Sequence, residues 1–163
     1  MSKIIAGVAV VTGLATLTEA AVVVTQTGQD TIFTVANNDL LQTSMGSVNT
    51  TGLILNVGEN NGAGGKTYAI LTDGLFGDTD QNPSFVIASG TLIYNLNTSG
   101  NTFGYNISNI NTYSGWANGG RDSQAYTVSY SVVGNTNFID LATVAMNNLG
   151  YSQEKWAITK AGI

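Results

Sequence analysis

"YSGWANGGRDSQAYTVSYSV", residues 113–132, poses the fold question in its two halves. In the second half, Tyr126, Val128, Tyr130 and Val132 alternate with Thr127, Ser129 and Ser131. Side chains two apart on a strand share a face, so this spacing predicts a strand with one apolar–aromatic face and one hydroxyl face. The first half gathers Trp116, Gly115, Gly119, Gly120 and the only arginine of the chain, Arg121. Such a segment is either a binding loop or a structural corner, and the corner is the expected outcome.

Outward from this stretch, the same period of two recurs and helical periodicity is scarce. It predicts strands over 21–25, 31–35, 66–71, 91–96, 107–113, 125–133 and 138–144. Turn clusters rich in Gly and Asn separate them, among them "NVGENNGAGG", "NTSGNTFG" and "VGNTN". "NDLLQTSMG", beginning at Asn38, reads as a short helix or an irregular lead-in. The tail "SQEKWAITKAG" reads as a short helix capped by Ser152. Short strands broken by Gly/Asn turns predict an all-β sandwich or jelly roll in a single domain.

Composition narrows the function. Only 9% of residues are charged, against about a quarter in ordinary soluble domains, while 43% are hydrophobic. The polar surface must therefore come from Asn, Thr, Ser, Gln and Gly, as in secreted β proteins and structural surface proteins. The net charge is −5 and the five cations are scattered, so there is no basic footprint for nucleic acid. With no Cys and no His, thiol and imidazole nucleophiles and Cys/His zinc sites are excluded. No paired carboxylates can be placed for acid–base work, and an enzyme is not expected.

The N-terminus carries one cation, Lys3, followed by an uncharged apolar run from Ile4 to Leu17. That run is shorter than the roughly 20 residues that span a bilayer. Small residues follow, which predicts a secretory signal over 1–20 cleaved after Ala20, with a mature domain over 21–163 and no transmembrane segment in it. The competing reading is an apolar N-terminal strand, buried in the fold or used in assembly.

The order of segments over 90–139 carries a resemblance. "GTLIYNLNTSGN" is followed by "YNISNINTYSGW", the corner "GGRDSQ" and the strand "YTVSYSVVGNTNFI", with "ILTDGLFGD" upstream. This resembles the discoidin, or coagulation-factor type C, group of galactose-binding-like β-sandwiches, over about residues 36–145. It is similar in particular to secreted bacterial modules of that fold. The resemblance implies a galactose-binding-like jelly roll at the cell surface, with carbohydrate or another extracellular ligand as partner. The closing strands of the family are not recognisable in "LATVAMNNLGYSQEKWAITKAGI": either the tail replaces them in altered form, or the sandwich is incomplete and exposes sheet edges open to self-association.

Two constellations carry candidate chemistry. Sugars need an aromatic ring for their C–H face and planar polar groups for their hydroxyls. Tyr113, Trp116, Arg121, Asp122 and Gln124 offer both. Asp73, Asp78, Asp80 and Asn82 place oxygen ligands in one acidic turn, which suits a structural Ca²⁺. The pattern departs from a helix–loop–helix calcium loop at Pro83 and Ser89, and a solvated turn is the competing reading. The two functions that emerge are a secreted, non-enzymatic binding module for carbohydrate and a structural surface or assembly protein, such as a matrix, filament or virion subunit.

Overall fold

The computed structural model describes residues 20–36, 39–55, 87–115 and 123–160. Among these residues it is all-β with one short helix. In chain order the elements are β1 (Val23–Gln29), α1 (Leu40–Ser44), β2 (Met45–Leu55), β3 (Ile87–Leu96), β4 (Asn109–Gly115), β5 (Tyr126–Tyr130), β6 (Ile139–Val144) and β7 (Gln153–Thr159). Every strand pairing described is antiparallel.

The tail corrects the sequence reading most sharply. Residues 153–159 are not a helix begun at Ser152 but the middle strand of a sheet, in the order β1–β7–β4. The reason lies in the alternation: Glu154, Trp156 and Ile158 share one face, and all three are buried. Trp, Ile and Thr also favour the pleated conformation over a helix. The C-terminal segment therefore completes a sheet, where the incomplete-sandwich expectation had found no recognisable strand. Both neighbours run in strict register against β7, so that Val24, Ile158 and Ile110 form one cross-strand row and Gln26, Trp156 and Thr112 the next.

A second layer covers that face. β5 and β6 pair with Tyr126 opposite Val144 and Val128 opposite Ala142, then shift register so that Ser129 faces Asp140. Leu141 is thus the extra residue of a β-bulge, which bends its strand. The turn beyond β5 closes through the Asn135 amide donating to the Val132 carbonyl at 3.0 Å, with Gly134 at a φ of 79°. Only glycine adopts that left-handed conformation freely. Val144, Trp156 and Ile158 form the buried core, and Val24, Ile110, Tyr126, Val128 and Ala142 pack against it. The layers are also tied by a hydrogen bond between the Tyr126 hydroxyl and Thr112 Oγ1. Burying each of Val144 and Ile158 contributes about 1.5–3 kcal/mol.

β2 and β3 form a long antiparallel pair of their own, with register shifts at three places. The short helix before it begins at Asp39, whose Oδ1 accepts the Gln42 amide at 3.1 Å as an N-cap. Four expected strands, 91–96, 107–113, 125–133 and 138–144, correspond to β3 to β6, and 21–25 overlaps β1. The segment 31–35 is not a strand: Thr31 lies in a bend and 32–35 are irregular. β2 was not anticipated. The expected strand 66–71 and residues 1–19 of the expected signal lie outside the described residues. No helix among the described residues is long and apolar enough to cross a membrane.

Candidate functional site

Of the five residues expected to hold a sugar, Trp116, Arg121 and Asp122 lie outside the described residues. Tyr113 and Gln124 are described, and the sheet separates them. Tyr113 sits in the row Thr27–Lys155–Tyr113, and the next row is Gly28–Glu154–Ser114. Successive strand residues point to opposite faces. Gln124 Nε2 donates to Ser114 Oγ at 2.9 Å, so it belongs to the face that Tyr113 does not occupy. All four calcium candidates, Asp73, Asp78, Asp80 and Asn82, lie outside the described residues. Among the described residues no cluster of acidic side chains could hold a metal ion.

On the outer face, Tyr113 is embedded in an aromatic and charged group. Phe33 meets it at 5.7 Å between ring centroids, tilted by 58°. Lys155 Nζ lies 5.6 Å from the Tyr113 centroid, within range of a cation–π attraction. Burial pushes the Tyr113 hydroxyl above its ordinary pKa, and the negative charge of Asp39 adds to the shift. The stretch 31–35, which fails as a strand, thus serves to bring Phe33 onto this ring.

The inner face holds an arrangement that the sequence reading missed. Glu154 is fully buried. Its Oε2 accepts from Gln26 Nε2 at 2.9 Å, and its Oε1 accepts the Leu149 amide at 2.9 Å. Gln26 Nε2 also donates to the Asn147 carbonyl at 2.6 Å, and Asn147 Nδ2 returns a bond to Gln26 Oε1 at 2.7 Å. A buried carboxylate is costly unless hydrogen-bonded. Here its partners are the neighbouring strand β1 and the connection between β6 and β7. Asp30 Oδ1 accepts the Ser152 amide at 3.1 Å, which fixes the same connection at its far end. Tyr151 lays its ring on Gly28, close enough that a Cβ there would stand 2.2 Å from a ring carbon. The signal was present in the sequence: Glu154 occupies the first place of an apolar alternation completed by Trp156 and Ile158.

The consequence is a connection pinned along β1 whose apolar side chains stay wholly or partly exposed. Met146, Leu149 and Tyr151 are exposed, as are Val23 at the start of β1 and Ile32 just past its end. A second exposed tract, Val132, Val133, Phe138 and Ile139, lies at the turn end of β5 and β6. β1 itself, "VVTQTGQ", carries no charge and no proline, and among the described residues it pairs on one side only. Sheet edges in soluble monomers are usually guarded by charge, proline or a bulge. In this three-stranded sheet both charged residues, Glu154 and Lys155, stand on the middle strand.

No family model matches the chain, and no curated protein and no solved structure matches it.

Proposed function

We propose that the chain is a non-enzymatic structural protein of an exported surface, a subunit that assembles with copies of itself. The observation that carries this reading is the distribution of apolar side chains. Only Val144, Trp156 and Ile158 are buried among the described hydrophobic residues, whereas ten large ones are exposed, seven of them in two short segments, 132–139 and 146–151. Exposed apolar residues scattered one by one need no explanation; a segment that gathers Met146, Leu149 and Tyr151 and is bonded to an uncharged edge strand marks an interaction surface. The low charge and the Asn/Thr/Ser surface fit the same role, since little like-charge repulsion opposes close packing of copies. Light scattering on a concentration series of the folded protein, with electron microscopy of the concentrated sample, tests this. Multimers whose mass grows with concentration are the expected result, and a monomer at every concentration up to the millimolar range overturns it.

A second reading, a secreted carbohydrate-binding module on a galactose-binding-like jelly roll with a structural Ca²⁺, is favoured by the Phe33–Tyr113–Lys155 group on the outer face. A glycan array with folded protein separates it from the first. Binding that Tyr113→Ala abolishes without loss of melting temperature supports the module, and a blank array removes it. Calcium that raises the melting temperature, reversed by EDTA, supports the acidic turn as a metal site.

A further inference from the structure

The assembly reading leaves open which surface joins the copies and in what geometry, and β1 answers both. Resting on that reading, we infer that two copies of the chain join through β1, antiparallel about a two-fold axis at Gln26, so that two three-stranded sheets become one of six strands.

The strand satisfies the requirements for pairing with itself. An edge strand presents unpaired amides and carbonyls that another strand can complete. In an antiparallel pairing of a strand with its own copy, a charge near the axis lies beside its symmetry mate, so a charge there would oppose it. Residues 23–29 contain none. With the axis at Gln26, Thr25 of each copy stands opposite Thr27 of the other, twice over. Thr–Thr is a favourable cross-strand pair because the hydroxyls can hydrogen-bond across the ladder. Val23 falls opposite Gln29, Val24 opposite Gly28, and Gln26 meets its own mate at the axis, each Gln26 already held by its own Glu154. The pairing keeps faces matched: Val24, Gln26 and Gly28 of both copies continue the core-facing surface, and Thr25 and Thr27 of both continue the outer one.

The flank of the strand is prepared for the same contact. The buried Glu154 and Gln26, bonded to each other, hold residues 147–149 beside β1 by three further hydrogen bonds. That connection carries Met146, 69% exposed, together with Leu149 and Tyr151. A copy docked on β1 brings its own connection up to this apolar tract across the two-fold axis, and a closed isologous interface results. Glu154 is then a positioning residue for the interface, touching none of the partner itself. The occupant is a second β1 and not a foreign peptide, because the register argument depends on the strand's own sequence.

Charge placed at the two threonines provides the test. Both side chains are on the exposed outer face, and Thr27 stands opposite Lys155 of its own sheet, so the melting temperature of each variant is measured beside its mass. Thr25→Lys with Thr27→Lys puts cations opposite cations and should halve the mass measured by light scattering. Thr25→Glu with Thr27→Glu should do the same. Mixing the two variants should restore the wild-type mass, because each lysine then faces a glutamate. Loss of folding cannot produce that rescue, nor can capture of another copy's apolar N-terminal segment, where residues 4–17 carry no charge. As a check of register, the chain has no cysteine of its own, so an equimolar mixture of Thr25→Cys and Thr27→Cys should cross-link on oxidation several-fold more than either alone. A multimer of unchanged mass in both charged variants overturns the β1 inference and leaves the assembly reading standing. A wild-type protein that is monomeric throughout overturns both.

Discussion

β7 and β1 are adjacent strands of equal length in one sheet, and they use their residues in opposite ways. β7 buries Gln153, Glu154, Trp156 and Ile158 and carries both charges of the sheet. β1 alternates half-buried and exposed positions, carries no charge, and pairs on one side only among the described residues. An ordinary soluble sheet does the reverse, with apolar side chains in the middle and charge at the rim. The difference teaches that the charge of β7 serves internal positioning, because Glu154 is used up in fixing the β6–β7 connection. Nothing on β1 is used to keep other strands away. The contrast can be attacked first at its buried end, where the effects are largest.

Trp156→Ala should cost about 3–5 kcal/mol, the usual loss for a large aromatic removed from a core. Its ring lies between Gln26 and Thr112 in the sheet and belongs to the only buried cluster described. Denaturant unfolding monitored by tyrosine fluorescence or circular dichroism measures the loss. A change under 1 kcal/mol would mean that β7 is not the middle of the core. Glu154→Ala comes next, at about 1–3 kcal/mol, because the Leu149 amide and Gln26 Nε2 lose their buried acceptor. Gln26→Ala should be strongly non-additive with it in a double-mutant cycle, since the two share one network. Additive losses would break the claim that Glu154 acts through β1.

How much of this was legible beforehand depended on whether a strand keeps its period. β5 and β6 were readable because Tyr126, Val128 and Val144 repeat on one face with only one bulge. β2 was not, because its pairing with β3 shifts register three times and Gly46 and Gly52 interrupt the pattern. β7 was misread because a buried glutamate stands in its apolar row, and sequence alone gives no sign that an amide and a glutamine will satisfy it. Residues 31–35 had the right composition for a strand and no ladder to join. At the candidate sugar site, nearness in sequence grouped Tyr113 with Gln124, but alternation along β4 sends Tyr113 to one face and Ser114, the partner of Gln124, to the other.

The contact between Gly28 and Tyr151 sharpens the comparison at the seam of the two strands. An alanine in place of a strand glycine normally gains about 0.5–1 kcal/mol. At Gly28 the added methyl would meet Tyr151 Cδ2 at 2.2 Å and Cγ at 2.9 Å. Those atoms are near the root of the side chain, so the ring must leave its seat as a whole. Gly28→Ala should therefore destabilise by about 1–3 kcal/mol, as overpacking does. Adding Tyr151→Ala should cancel most of the loss. If Gly28→Ala stabilises the protein on its own, the β6–β7 connection does not lie against β1 as described, and the apolar flank of the edge goes with it.

The smallest effect is at the join between the two layers, and it carries a pH signature. Burial raises the pKa of Tyr126 above the ordinary 10.0 and outweighs the hydrogen bond with Thr112, which lowers it. Tyr94 and Tyr113 are raised as well, burial being the main cause in each. A tyrosine whose folded pKa lies above its unfolded value ionises first in the unfolded chain. Its contribution is complete below about pH 10 and disappears as the pH climbs through the folded value. Stability should therefore be flat from neutral pH to about 9 on account of these groups and then fall. Tyr126→Phe should cost about 0.5–1.5 kcal/mol at neutral pH, the net worth of one hydrogen bond, and should leave a shallower alkaline decline because one of the three described tyrosines with a raised pKa is gone. Equilibrium unfolding of both proteins between pH 7 and 11 measures the two curves. Parallel curves would show that the Tyr126 hydroxyl stays in water, and the β5–β6 layer would then be held to the sheet by its apolar contacts alone.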